Sequence, residues 1–206
     1  MAGVLASNVP PLAFFVFDTR TARAGRLPEE WRIKVNRGTP EVRVIDETQG
    51  AVIQLKSRRS SFALERAVDI DPERLPYLTW RWKVATLPRG GDFRQATTDD
   101  QAAQILVAFT DRRILSYLWD STAPKDTMQS ATSIPLLHIF AVVCRSGPAE
   151  LNQWLSESRN LSDDYQKAYG RRPPRLKGIR LQINTQHTGS SAESYFGDVA
   201  FRNAPL

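Results

Sequence analysis

Cysteine and histidine are scarce in this 206-residue sequence, which has one cysteine and two histidines. A single cysteine excludes an intramolecular disulfide and a metal site built from several thiolates. Cys144 follows the apolar run 139–143, so we expect a buried, unreactive thiol. A Cys/His catalytic pair would need His138 or His187 beside Cys144. It is not expected, because His138 is six positions away on a predicted strand, roughly 20 Å distant.

The sequence also lacks the short motifs that mark common active sites. It has no glycine-rich phosphate loop, no nucleophile elbow and no two-histidine metal motif. Glu193 and Asp198 come nearest to a glycosidase pair, but a chain with 22 acidic residues offers such pairs by chance. We therefore predict a protein that is not an enzyme.

No apolar run is long enough to cross a bilayer, so we do not expect a membrane-spanning protein. Residues 1–17 are uncharged, but Pro10 and Pro11 interrupt them and no Lys or Arg precedes the apolar part, as a signal peptide requires. We interpret 12–17 as a first strand and 1–11 as an N-terminal extension without a complete signal peptide. Alternatively, residues 4–6 are the tail of a trimmed one.

The net charge of +6 would suit an acidic partner such as nucleic acid, an anionic membrane surface or an acidic polysaccharide. However, the basic residues are scattered along the chain. The densest groups are pairs without interleaved aromatic residues: Arg58-Arg59, Arg112-Arg113 and Arg171-Arg172. We predict a solvated, arginine-rich surface and no nucleic-acid partner.

Short runs of β-forming residues, separated by turn residues, recur along the whole chain and predict a β-sandwich in a single domain, 1–206. One helical insertion is expected at 148–169, in two short helices broken near Asn160, with Leu151, Trp154 and Leu155 turned inward at i, i+3 and i+4. The predicted strands are 14–17, 31–35, 41–46, 51–56, 77–84, 103–109, 113–119, 136–144, 179–184 and 195–201.

Alternation within the strands separates apolar from polar faces. In 79–84 the apolar set is Trp80, Trp82 and Val84, which leaves Thr79, Arg81 and Lys83 on the opposite face. In 179–184 the odd positions are apolar, which leaves Arg180, Gln182 and Asn184 together on the opposite face. In the apolar run 102–109, Gln104 is the polar exception. We predict that the polar faces share one sheet surface.

Five motifs in order resemble a bacterial family of proteins known as domain of unknown function 3047. They are Trp80-Arg81-Trp82-Lys83-Val84, Asp99-Asp100, the run 115–119, the run 159–165 and the ending 193–201. The family has no established activity, and its members often look exported, which implies a periplasmic or exported protein. The closing strand is similar to that of galactose-binding-like jelly rolls, so the resemblance implies a jelly-roll-like antiparallel sandwich.

Jelly rolls of that kind bind sugars or serve as interaction modules, and a sugar site needs flat aromatic rings and planar hydrogen-bonding groups. We therefore predict a non-catalytic ligand-binding or carbohydrate-binding module. The alternative is that Trp80, Trp82 and Trp119 are core residues. In that case Arg81 and Arg180 would neutralise Asp99, Asp100 or Asp198 inside the sheet. The predicted ligand-binding residues are Arg81, Gln104, Tyr117, Trp119, Arg180, Gln182 and Asn184.

No cofactor is expected, apart from a possible structural Ca²⁺, which would take oxygen ligands from Asp99, Asp100, Glu193 and Asp198. No EF-hand-like spacing supports it.

A second hypothesis is a structural or accessory subunit that docks on a larger, membrane-associated protein complex. It rests on the uncharged residues 1–17 and on the amphiphilic insertion around Trp154 and Tyr165.

Overall fold

Two β-sheets pack face to face in the computed structural model, which describes residues 12–131 and 138–206. Six strands form one sheet in the order β11-β6-β13-β4-β3, and β1 also pairs with β13. They are β1 (Ala13–Phe17), β3 (Glu41–Glu47), β4 (Gly50–Arg58), β6 (Tyr77–Thr86), β11 (Leu155–Asn160) and β13 (Ser191–Arg202).

The second sheet has seven strands in the order β2-β5-β12-β7-β8-β10-β9. All pairings in both sheets are antiparallel except that of β8 with β10, which is parallel. These strands are β2 (Arg32–Arg37), β5 (Ser61–Ile70), β7 (Ala103–Phe109), β8 (Arg113–Asp120), β9 (Met128–Ser130), β10 (His138–Ser146) and β12 (Leu176–Asn184).

The predicted β-sandwich is therefore confirmed, and each predicted strand overlaps an observed one. The extension 1–11 and the first two residues of the predicted strand 136–144 lie outside the described residues. β5, β9 and β11 were not predicted.

The core contains aromatic side chains from both sheets. Trp80 and Trp82 on β6 face Tyr117 and Trp119 on β8, with ring centroids 5.3 Å apart for Trp80 and Tyr117 and 5.8 Å for Trp82 and Trp119. All four side chains are buried. The alternative interpretation of the tryptophans, as core residues, is confirmed.

The prediction of helix from residue 148 onward is wrong for its first half. Only α1 (Leu161–Tyr169) is helical, beginning after Asn160, whose side chain accepts hydrogen bonds from two backbone N–H groups, and ending at Gly170 with φ of 69°. The preceding residues form β11, which pairs with the edge of β6 in register Leu155 to Trp82. Pairing with an open sheet edge satisfies backbone groups that a short isolated helix would expose.

Strand β11 and helix α1 close one side of the sandwich with a buried ion pair. The Arg159 guanidinium donates to both oxygens of Asp164, at 2.9 and 2.6 Å, and the Tyr117 hydroxyl donates to the same carboxylate at 3.0 Å. Burial, and then the negative charge of Asp164, raise the pKa of Tyr117. Tyr117 is thus a neutral core residue that anchors the helix to the seven-stranded sheet.

Candidate functional site

A groove of about 640 Å³ crosses the outer face of the seven-stranded sheet. Four of the predicted ligand-binding residues line it: Gln104 on β7 and Arg180, Gln182 and Asn184 on β12. The register places Gln182 directly opposite Gln104 and Arg180 opposite Leu106, so the polar side chains of neighbouring strands meet. These four side chains share one sheet face, whereas the third polar face of the prediction, on 79–84, belongs to the other sheet.

Asn184 organises the polar half of the groove. Its Oδ1 accepts from the backbone N–H of Gln101 at 3.0 Å and from Nε2 of Gln104 at 2.6 Å, and its Nδ2 donates to the Asp99 carbonyl at 2.6 Å. The side chain is buried, and both ends of its amide are used within the protein. Asn184 therefore positions Gln104 and the loop before β7 and has little capacity left for a ligand.

Other polar groups of the groove remain available. Within the part of the chain that the structure describes, the amide of Gln182 and the Oε1 of Gln104 have no hydrogen-bond partner, and neither does the buried Oγ of Ser116. A buried polar group without a partner is uncommon in folded proteins and asks for a water or ligand. These three groups point to a ligand that both donates and accepts hydrogen bonds.

Arg180 supplies the positive charge of the groove. Its Nη2 lies 2.6 Å from Oε1 of Glu65 on the neighbouring strand β5, and both side chains are partly exposed. The expected neutralisation of Arg180 by Asp99, Asp100 or Asp198 is wrong, because the register sets Glu65 directly across from it. The ion pair holds one edge of the guanidinium and leaves donors for a ligand.

The other half of the groove, on β8 and β10, is apolar. Ile114, Leu118, Ile139 and Ala141 line it around Ser116, and the ring of Phe93 beneath is 1% exposed. Among the described lining residues, no exposed Phe, Trp or Tyr ring offers a flat platform. Recognition in this groove therefore depends on hydrogen bonds and on small aliphatic contacts.

Tyr117 and Trp119 are not in the groove, and their prediction as ligand-binding residues is corrected. Both are 0% exposed, and Nε1 of Trp119 donates to the Gly147 carbonyl at 3.2 Å. Strand alternation turns them inward, and Ser116 and Leu118 between them face the groove.

Arg81 is also misplaced by the prediction, since it lies on β6 in the other sheet. On that outer face it donates to Gln49 and packs over the ring of Trp154, at 5.2 Å from the ring centroid. Alternation shows which residues of a strand share a face but cannot show which sheet the strand joins.

The four calcium candidates are spread over separate places. Asp100 is fully buried and accepts from the backbone N–H groups of His187 and Thr188, whereas Asp99 lines the groove. Glu193 pairs with Lys56 on the six-stranded sheet, and Asp198 accepts from Thr19. No three His, Cys, Asp or Glu side chains gather as a metal centre would need within the described ranges. A joint site for these four is therefore wrong.

The residues that suggested docking are engaged within the chain. Tyr165 is buried beside Phe109, and Trp154 folds onto the six-stranded sheet, where its Nε1 donates to Glu47 at 2.8 Å. Residues 1–11 lie outside the described residues. In the ranges that the structure describes, no helix is long and apolar enough to span a bilayer.

Sequence reasoning did not single out Ser116 or the polar residues at the end of the groove, Gln186 and His187. The alternation of 113–119 carried the signal for Ser116, since it is the polar residue on the face opposite Tyr117 and Trp119. His187 follows the last strand residue by three positions, in a loop, where no periodicity predicts a direction.

The fold is similar to that of several solved proteins that act on or bind polysaccharides. The xyloglucanase domain of NopAA from Sinorhizobium fredii aligns at 7% identity and a TM-score of 0.53, covering 96% of this chain and 100% of that one. The family 30 carbohydrate-binding module of cellulase Cel9D-Cel44B from Clostridium thermocellum aligns at 10% identity and 0.51, covering 92% and 96%. Endoglucanase Cel12A from Rhodothermus marinus aligns at 9% and 0.50, covering 96% and 100%.

At such low identity these similarities show the fold alone. No curated protein sequence matches the chain. A family model does match residues 29–200. The chain belongs to the family described as protein of unknown function, DUF3047.

Proposed function

We propose that this protein is a non-catalytic carbohydrate-binding module whose ligand lies in the groove on the seven-stranded sheet. The observation that carries the proposal is the set of available hydrogen-bonding groups there, on Gln104, Ser116, Arg180 and Gln182. Amide side chains both donate and accept, which suits a ligand covered with hydroxyl groups. The cavity volume is within the usual range for small-ligand sites.

The fold supports the same proposal by analogy, since one similar structure is a carbohydrate-binding module. An extracytoplasmic location, as the family resemblance implies, belongs to the proposal because glycan polymers are mostly found outside the cytoplasm.

The described part of the groove has too few carboxylates for glycoside hydrolysis, and this favours binding over catalysis. Glycoside hydrolysis generally needs two, one on each side of the scissile bond. Among the described lining residues only Asp99 carries a carboxylate, and Glu65 beside them is paired with Arg180. Residues 1–11 and 132–137 contain neither Asp nor Glu.

The test is a titration of the protein with a panel of soluble polysaccharides, followed by calorimetry and by thermal melting. A sugar present at 100 times its dissociation constant should stabilise the fold by about 2.7 kcal/mol. The double variant Gln104→Ala/Gln182→Ala should lose this stabilisation, because it removes two amides from the groove. Addition of EDTA should change nothing, since no metal is proposed.

Arg81→Ala is the matched control, because Arg81 is a polar strand residue on the outer face of the other sheet. It should bind as the parent does. If Arg81→Ala abolished binding and the double groove variant did not, the ligand would lie on the six-stranded sheet and the proposal would be wrong.

A further inference from the structure

Three arginines from two turns meet at one end of the sandwich. Arg58 and Arg59 lie where β4 turns into β5, and Arg89 lies in the loop after β6. With Gly189, Ser190 and Ser191 they line an open cleft of about 540 Å³, the arginine cleft.

The three guanidinium groups have no carboxylate partner within the described part of the chain, and all three side chains are exposed. Several other arginines do have one, for example Arg94, 2.6 Å from Asp92, and Arg159, 2.6 Å from Asp164. Three like charges on one cleft repel each other unless an anion lies between them.

Hydrogen bonds connect the backbone segments that surround the arginine cleft. The N–H of Arg59 donates to the Ser190 carbonyl at 3.0 Å, and the N–H of Arg89 donates to the Ser190 hydroxyl at 3.2 Å. Ser57 and Thr185 join the same two turns through their hydroxyl groups at 2.8 Å. The arginines therefore project from a connected frame that holds their Cα atoms in place.

The arginine cleft continues the groove. Ser61 lines the groove and is two residues from Arg59, and His187 lines it and is two residues from Gly189. Since consecutive Cα atoms are 3.8 Å apart, each pair of Cα atoms is separated by at most about 7.6 Å. A polymer chain that lies in the groove and leaves past His187 would meet the arginines.

We propose that the glycan bound by this module is acidic, a polysaccharide with carboxylate or sulfate groups that the arginine cleft binds. This inference rests on the proposed function and adds its ligand class. A guanidinium donates two parallel N–H groups to a carboxylate or sulfate, a geometry that a hydroxyl cannot match. The net charge of +6 would also draw a polyanion toward the site.

The experiment compares two matched pairs of polymers by calorimetry: polygalacturonate with its carboxyl-reduced form, and dextran sulfate with dextran. The parent protein should bind the acidic member of at least one pair ten times more tightly. Arg58→Gln/Arg59→Gln/Arg89→Gln should reduce that ratio to about one and keep the binding of the neutral polymer.

The control is Arg74→Gln/Arg171→Gln/Arg172→Gln, which changes the net charge equally. These arginines are exposed and lie beyond the other end of β5, about 30 Å away at the rise of a strand. This variant should keep the preference for the acidic polymer.

If the two triple variants lost the preference for the acidic polymer equally, the inference would be overturned, because net charge alone would then explain the preference. A ratio near one for the parent in both pairs of polymers would also overturn the inference. In that case the proposed function would stand if the double variant Gln104→Ala/Gln182→Ala still lost binding of the neutral polymer. Acidic binding that needs the arginines but not Gln104 and Gln182 would refute the groove site and, with it, the joint site. Failure of all four polymers to bind would overturn the acidic ligand class, whereas the proposed function would fall only if the whole polysaccharide panel failed to bind.

Discussion

The two sheets of this protein carry similar polar residues on their outer faces but use them differently. On the six-stranded sheet, Glu47 accepts from Lys83 at 2.5 Å and from Trp154 at 2.8 Å, and Tyr195 donates to Glu193. Lys83 also lies 5.1 Å from the Trp154 ring centroid. Each of these groups has a partner from its own chain, so they form a structural surface. Among the described residues of this sheet, the buried Ser158 hydroxyl, opposite Thr79, has no hydrogen-bond partner.

On the seven-stranded sheet the polar groups are arranged by the protein but not used up. Asn184 fixes the position of Gln104, whereas Gln182 and Ser116 have no partner in the described ranges. The difference between the faces shows that residue type alone does not mark a binding surface. What marks it is hydrogen-bonding capacity held in place and left open.

Removal of the organising amide should give the largest change. Asn184→Ala would leave the Gln101 N–H and Nε2 of Gln104 without their partner and would remove one hydrogen bond to the Asp99 carbonyl. We expect the free energy of unfolding to fall by about 2 to 3 kcal/mol, since buried groups would lose their hydrogen bonds. Urea denaturation measures it.

Gln182→Ala is the control for Asn184→Ala, because it removes an amide from the same groove that has no partner among the described residues. Its stability should remain within about 0.5 kcal/mol of the parent, while binding weakens. Equal destabilisation by the two variants would show that the groove face is structural, as the other face is.

Trp154→Ala should disturb the six-stranded face without affecting sugar binding. The ring lies near Arg81 and Lys83, and it donates to Glu47. Because the side chain is only half-buried, we expect a loss of about 2 kcal/mol, less than the 3 to 5 typical of a core tryptophan. A variant that melts like the parent but loses its ligand would reverse the roles assigned to the two faces.

The sequence predicted some elements of the two outer sheet faces better than others. Alternation in β12 was enough to align Arg180, Gln182 and Asn184, and the interruption at Gln104 marked the neighbouring strand. Alternation could not assign Arg81 to a sheet, because sheet membership depends on long-range pairing. It also could not show that Asn184 is a positioning residue, since its three partners come from the loop before β7 and from β7 itself.

β11 escaped prediction for a related reason. Its residues are polar, and the i, i+3, i+4 spacing of Leu151, Trp154 and Leu155 favoured a helix. The open edge of β6 and the ion pair of Glu157 with Arg145 stabilise a strand instead, and neither is visible locally. Tertiary partners decide the structure of a segment with weak intrinsic preference.

Acid should weaken the six-stranded face through Glu47. Partial burial acts to raise the pKa of this carboxyl, but hydrogen bonds from Lys83 and Trp154 outweigh it, so the pKa lies below its ordinary 4.5. A lowered pKa in the folded state means that the stabilisation is complete above the unfolded value and is lost as the pH falls through the folded one. The loss begins near pH 4.5 and should stay under about 1 kcal/mol, as for other partly exposed pairs.

The measurement is the melting temperature at pH 7 and pH 3 for the parent, for Glu47→Gln and for Glu41→Gln, an exposed residue of the same strand. Glu47→Gln should melt lower than the parent at pH 7 and nearly with it at pH 3, whereas Glu41→Gln should follow the parent at both. A difference for Glu47→Gln that does not change with pH would exclude the carboxylate as its cause.

The smallest effect on stability, and the sharpest test of the open face, is expected for Ser116→Ala. Ser116 is 3% exposed and lies between Leu106 and Ala141 on the neighbouring strands. Its hydroxyl has no hydrogen-bond partner in the described part of the chain. Removal of a buried, unpaired hydroxyl should leave stability unchanged or raise it by up to about 1 kcal/mol.

Ser57→Ala is the matched control, because the equally buried Ser57 hydroxyl bonds to the Ser60 carbonyl and to the Thr185 hydroxyl, both at 2.8 Å. It should lose about 1 kcal/mol or more. In calorimetry Ser116→Ala should bind the sugar about five to ten times more weakly, since one ligand hydroxyl would lose its partner. If Ser116→Ala were destabilised as much as Ser57→Ala and bound the ligand normally, the hydroxyl would belong to the fold, and the groove would lose one of the groups proposed to bind the ligand.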